Sequence, residues 1–447
     1  MIPYNSGVTD LDLMLRFMLQ VLVVLGACKA IGWLGQKYLG QTQVVMEMVT
    51  GVLLGPSLFG LLSPQAQQWL FPKDAQMVVD GVTTTVKHPS MMILYVVAQL
   101  GLVLYMFLVG LEFNVDLIAK KAGSAIAVSL AGIGAPFILG AIIAITMLQS
   151  GDFFMPGISL GSMALYTGAA MCITAFPMLA RIIFERGIAG TRMGTLALGA
   201  GATDDAAAWS LLAVVLAMSK GSVNYALFAI GGGALFAYLV LKFGPRLFKP
   251  LAEGVERDGK ISNSAFTWTM LFLMLGAYIT DAIGIYAVFG AFLIGAAMPR
   301  GRFAEVIREK TEYLTVGLLL PFFFVYSGLN TQIGLVNTPS LWLIALVILA
   351  AAIVGKGVAC ALAARATGES WRDAWTIGTL MNARGLMELI ILNIGLQQKV
   401  ITPTLFTIMV IMAIVTTLMA SPIFRWIYRP AEVPPSISEP PVAMASA

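Results

Sequence analysis

The chain has 447 residues, 59% of them hydrophobic and 11% charged, with a net charge of +4. A soluble globular domain carries about 25% charged residues, and at a mean hydropathy of +0.87 this chain has too little polar surface to coat a particle in water. A bilayer must cover most of its outside, and a soluble fold is excluded.

Apolar runs of about 20 residues are long enough to cross the hydrocarbon core. Thirteen are predicted, over residues 11–35, 43–63, 91–113, 122–148, 160–182, 193–218, 222–242, 264–280, 282–299, 312–330, 339–364, 374–397 and 402–424. The expected fold class is therefore an all-α polytopic membrane protein. The first run is too long for a signal-peptide core and no basic residue precedes it, so it reads as an uncleaved helix. Cytoplasmic loops carry an excess of Lys and Arg. Numbering the loops from the N-terminus, the odd ones and the C-terminal end hold nineteen of the 27 basic residues, against four in the even loops. That asymmetry predicts an outside N-terminus and an inside C-terminus. Residues 1–429 read as one membrane domain, and 430–447, rich in Pro and Ser, as a disordered cytoplasmic tail with no room for a soluble regulatory domain.

An ionisable residue deep in a membrane is costly and marks function by default. In the fifth run, TGAAMCITAFPMLAR, Pro177 removes a backbone donor, and Gly168 and Thr174 permit local unwinding. The sixth carries Asp204 and Asp205 at its midpoint, in GATDDAAAW. Two adjacent carboxylates cannot both stay ionised in a low dielectric without a cation, so they predict a proton site, a metal-cation site, or both in alternation. Lys356, in the inner half of the eleventh run, needs a carboxylate partner, and either aspartate lies at a compatible depth. The twelfth run, GTLMNARGLMELIILNIG, places Asn382, Arg384, Gly385 and Glu388 near its centre. Runs four to six and eleven to thirteen each place such an interrupted helix second, from opposite starting sides. That is the pattern of inverted repeats with an ion site at two broken helices.

The remaining polar residues read more mildly. Glu47, Glu112 and Asp281 fall near the ends of runs, where water can solvate them, and suggest structural or gating roles. Cys28, Cys172 and Cys360 form no CxxC or Cys/His pattern and read as packing residues. The one histidine, His88, stands in a polar loop, so chemistry needing a buried His base is excluded. No cofactor is called for, and the basic residues, distributed by topology, give no basis for nucleic-acid binding.

Seven segments resemble the monovalent cation:proton antiporter-2 family, relatives of bacterial sodium/proton and glutathione-gated potassium/proton exchangers. They are EMVTGVLLGPSLFG from Glu47, FLVGLEFNVD from Phe107, TAFPMLARII from Thr174, ATDDAAAW from Ala202, GAFLIGAAMP from Gly290, PFFFVYSGLN from Pro321 and MNARGLMELIILNIG from Met381. The resemblance implies an inverted-repeat antiporter with a dimerisation domain, working as a homodimer, and a core ion-translocation domain. It implies that Asp205 carries the Na+ or K+ cation and the proton. Asp204 stands at a position that varies among Asp, Asn and Gln, the acidic form being similar to electrogenic sodium/proton exchangers, and Lys356 is its partner when the ion is absent. Thr174 would mark the crossover of the first broken helix, and Arg384 and Glu388 that of the second. The potassium exchangers' nucleotide-binding domain is not expected here.

The reading is a secondary antiporter of the bacterial inner membrane, not an enzyme, with Na+ or K+ and H+ as substrates and lipid around it. A passive cation channel would need an open pore and a filter such as TVGYG, which the sequence lacks. An intramembrane aspartyl protease would need a GxGD motif, also missing, and a serine protease commonly a buried His. A non-transporting membrane receptor would have little reason to bury these charges.

Overall fold

The computed structural model describes residues 9–41, 43–79, 82–112, 122–176, 179, 182, 183, 188, 191–219 and 223–428; for some residues inside these segments, Asp205 among them, it describes the backbone alone. The helices, in chain order, are α1 (Asp10–Leu34), α2 (Gln43–Leu54), α3 (Phe59–Leu62), α4 (Pro64–Leu70), α5 (Pro89–Glu112), α6 (Ala122–Met147), α7 (Leu160–Cys172), α8 (Arg192–Ser219) and α9 (Val223–Asp258). They continue with α10 (Asn263–Ile283), α11 (Ala287–Ala297), α12 (Arg302–Leu314), α13 (Leu320–Gly328), α14 (Pro339–Ala352), α15 (Ala359–Ala366), α16 (Trp371–Met381), α17 (Leu386–Gln397) and α18 (Pro403–Ile427). Among the described residues, eight helical stretches are long and apolar enough to cross a membrane. The helices at the fifth, ninth and twelfth predicted runs are shorter, ending at breaks the backbone makes inside those runs.

Side-chain caps fix where many helices start. Thr9 and Asp12 form a reciprocal capping box on α1, and Ser159, Ser262, Thr338, Ser370 and Thr402 each accept a backbone N–H in the first turn of the helix that follows. Pro339 and Pro403 come directly after two of these caps, where a missing N–H costs nothing.

Four features go beyond the predicted runs. Strands β1 (Asp74–Val79) and β2 (Val82–Lys87) pair as an antiparallel hairpin in the loop before α5, so the fold is nearly but not wholly helical. The β-branched run from Val82 to Val86 favours this extended form. Helix α9 runs sixteen residues past the predicted end at 242, because Phe248, Ala252 and Val255 supply a buried stripe at helical spacing on an otherwise exposed stretch. Helix α12 likewise buries Phe303, Val306, Ile307 and Thr311 and turns its charges outward. Finally, π-helical turns end the α1 stretch at Gly35–Leu39 and interrupt two further helical stretches at Thr315–Leu319 and Ile353–Val358.

The helices pack as two groups. In one, α5 lies against α11 and α13, α2 against α13, and α10 against α11. In the other, α6 lies against α7, α8 and α15, and α16 against α15, α8 and α18. Glycine sets the closest approaches: a Cβ on Gly328 would fall 2.2 Å from the Gly51 carbonyl carbon, joining α13 to α2, and one on Gly378 would fall 2.2 Å from Gly357 O, joining α16 to the π turn before α15. Close backbone approach of this kind is how helices associate where the hydrophobic effect gives no drive.

Candidate functional site

Two interruptions of helix meet inside the second group. Helix α7 stops at Cys172, and Ile173 is extended at φ −75°, ψ 134°. Helix α16 stops at Met381, and α17 resumes after Gly385, whose φ of 152° with ψ −111° is a conformation that a side chain would strain. At the crossing the Ala175 N–H donates to the Ala383 carbonyl at 3.2 Å. Thr417 of α18 holds the second break from behind: the Arg384 N–H donates to its Oγ1 at 3.0 Å, and that hydroxyl lies 2.8 Å from Arg384 O and 2.7 Å from Ala413 O. Non-helical backbone in an apolar interior survives only with its polar groups so engaged.

Asp204, on α8, faces this crossing and is 1% exposed. Its Oδ2 accepts from Lys356 Nζ at 2.7 Å and lies 2.6 Å from the Thr174 hydroxyl; its Oδ1 accepts from Ser129 Oγ of α6 at 2.5 Å. Lys356 is fully buried in the π turn between α14 and α15, and its ammonium donates also to Gly132 O at 3.1 Å and to Cys172 O at the end of α7. The Thr174 hydroxyl has a second acceptor, Met381 O, at 3.1 Å. One ion pair thus ties α6, both broken helices, α8 and the π turn together. A buried charge pair is stable only with its remaining lone pairs and protons satisfied, and this pair has them satisfied.

Residues 9–429 match the family model described as "Sodium/hydrogen exchanger, transmembrane". The chain belongs to the sodium/hydrogen exchanger family. Among proteins similar to this exchanger, the Na(+)/H(+) antiporter NhaS4 of Synechocystis is 37% identical over 426 residues, covering 94% of this chain and 98% of the relative. Cation/H(+) antiporter 18 of Arabidopsis thaliana is 34% identical, covering 92% of this chain and 49% of the relative, and K(+)/H(+) antiporter 1 of Saccharomyces cerevisiae is 29% identical, covering 95% and 47%. The exchanger spans about half the length of those two. Its fold is that of the sodium proton antiporter MjNhaP1 from Methanocaldococcus jannaschii, with a TM-score of 0.59 at 12% identity over 92% of this chain and 96% of that one.

Of the residues that the sequence singles out in this exchanger, Asp204, Thr174 and Lys356 come together in one cluster. Asp205 is the next residue of α8, and its side chain lies outside the described residues, as does the whole of Pro177. Arg384 and Glu388 are buried beside the crossing, with Arg384 Nη1 3.7 Å from Glu388 Oε2 and 3.4 Å from Ala170 O, and neither bonds to Asp204. Glu47 is a correction: it is not solvated at a helix end but 2% exposed, accepting from Gln43 Nε2 at 3.1 Å, because α1 packs over this face of α2. His88, expected in a solvated polar loop, is in fact buried at 8% exposed at the start of α5, its Nδ1 accepting the Ser90 N–H at 3.2 Å. Burial, and then Arg16, holds its imidazole below the usual range.

Sequence reasoning missed three parts of the site. Ser129 sits in a run, AVSLAGI, where a serine carries no signal. The carbonyls of Gly132, Cys172 and Met381 are invisible by residue type. The π turn at Lys356 has one hint, the two glycines that flank it in IVGKGV, since π turns recur at functional sites.

Proposed function

We propose that the protein is a secondary antiporter that exchanges a monovalent cation, Na+ or K+, for protons by alternating access. The observation that carries this reading is the buried Lys356 ammonium on Asp204, ringed by carboxylate, hydroxyl and carbonyl oxygens at the crossing of two broken helices. An ammonium has the charge of an alkali ion and the same preference for oxygen neighbours. Lys356 therefore acts as an internal cation that holds the site while no substrate ion is bound. When Na+ or K+ arrives, Lys356 withdraws, the carboxylates face the ion, and protons leave.

Asp205 is the proposed shared carrier, binding a dehydrated cation or a proton but never both, and this competition couples the two flows. Asp204 and Lys356 form the accompanying charge pair. Thr174 is a hydroxyl ligand, and Arg384 and Glu388 balance the helix ends at the crossover, to which the sequence also assigns Pro177. Relatives named for Na+/H+ and for K+/H+ antiport support either cation. The charge asymmetry of the loops supports thirteen spans with the N-terminus outside and the C-terminus inside. A bacterial inner membrane is the proposed location, and the inverted-repeat resemblance supports a homodimer in which the group built on α2, α5 and α13 is the static scaffold.

The test is proton flux in liposomes holding the purified protein while Na+, K+, Li+ and Rb+ are added in turn. Cation-driven flux by the parent and none by Asp205→Asn is the expected result, because an amide can neither carry a proton on and off nor neutralise a buried cation. Normal exchange by that variant removes Asp205 from the mechanism.

A further inference from the structure

Helix α18 belongs to the group that holds the broken helices, through Thr417 and its packing on α16, yet it also touches α2 of the other group. Pro422, inside α18, lacks the N–H that would answer the Leu418 carbonyl one turn back. Gln41, buried in the turn between α1 and α2, supplies the missing donor: its Nε2 donates to Leu418 O at 2.9 Å. The return bond comes from Arg425 in the last turn of α18, whose Nη2 donates to Gly40 O at 2.8 Å and to Leu39 O at 3.4 Å. These two carbonyls end the π turn that follows α1, where Gly40 is left-handed at φ 59°. A Cβ at Gly40 would collide with the Arg425 guanidinium.

The turn is a firm handle, because the Gly40 and Gln41 N–H groups both donate to Gly35 O. Near the other end of α18 the same two groups meet again, where the Gln332 N–H donates to Thr407 Oγ1 at 3.2 Å and Asn393 Nδ2 of α17 donates to Ser327 Oγ at 2.9 Å. Two bodies that alternate between facing states cannot keep every bond across their boundary, since opening one face separates them there. Arg425 is exposed, so water can take over its bonds when the bodies part. Resting on the antiport reading above, we propose that Gln41 and Arg425 form a clasp. It holds the two groups together on the face that bears the C-terminus of α18, parts when that face opens in each cycle, and so sets the balance between the two facing states.

The experiment measures cation-driven proton flux in proteoliposomes, with half-saturating Na+ or K+ determined from each face separately and the faces told apart by a C-terminal tag. The ratio of the two half-saturations reports the balance of states, because each apparent affinity scales with the fraction of protein open to that side. Gln41→Ala and Arg425→Ala are each expected to move the ratio about fivefold in favour of the face bearing the α18 C-terminus, the worth of one net hydrogen bond, and the double variant further than either. Arg425→Lys, which retains a cationic donor, falls between the parent and Arg425→Ala. Melting in detergent checks folding. In folded variants, a ratio that stays at the parent value or moves toward the opposite face overturns the clasp. If the alanine variants do not fold, Arg425→Lys decides it by the same ratio, and the parent value there overturns it. A parent without cation-driven flux overturns the antiport reading itself and the clasp with it, whereas flux with an unmoved ratio overturns the clasp alone.

Discussion

Lys356 and Asp204 face one another at 2.7 Å with side chains 0% and 1% exposed, from helices that the chain separates by 152 positions. Each charge is costly there without the other or a cation in its place. Breaking such a pair from one side costs about 3–5 kcal/mol, whereas replacing both partners by uncharged groups of similar size is close to neutral.

Lys356→Met is therefore expected to lower the melting temperature in detergent sharply, and Lys356→Met with Asp204→Asn to recover most of the loss. Two losses that simply add would show that the pair is not coupled in the folded protein.

Asp204→Asn alone removes the charge and keeps the shape. If the pair moves charge during the cycle, exchange by this variant continues but responds less to an imposed membrane potential. A variant as voltage-sensitive as the parent takes Asp204 and Lys356 out of the charge-carrying role.

The second break depends on Gly385, since φ 152° with ψ −111° is open to glycine alone. Gly385→Ala is expected to cost about 1–3 kcal/mol and to impair exchange, because the strain falls on the backbone that crosses Ala175. Gly123→Ala is the control, as a Cβ there meets nothing within 4 Å. Equal melting of the two variants would show that the break relaxes freely.

Much of this arrangement can be read in the sequence because charge is conspicuous in an apolar window. Asp204 and Lys356 announce themselves by cost alone, and Asn382 and Gly385 interrupt a helical pattern where a bilayer demands continuity. What pairs with what is less visible. By depth either aspartate is a candidate for Lys356; only the family resemblance points to Asp204, and the three-dimensional crossing brings Asp204 to it. Ser129 escapes because its hydroxyl gains meaning only from the helix opposite, and the carbonyl ligands because every residue has one. Glu47 misleads for the same reason: its position near the end of a run says nothing of α1 lying over it. The hairpin before α5 and the length of α9 are legible only to periodicities other than continuous hydrophobicity.

In the proposed cycle, cation and proton compete for one carboxylate site. The most direct test of this competition is the half-saturating concentration of Na+ and of K+ for exchange, measured between about pH 6 and pH 9 in proteoliposomes with pH equal on both sides. In a simple competition, each unit of pH below the point where the site protonates raises half-saturation about tenfold, while saturating cation restores the maximal rate. A half-saturation that stays fixed as pH falls would mean that ion and proton occupy separate sites, and exchange at a single carboxylate centre would have to be abandoned.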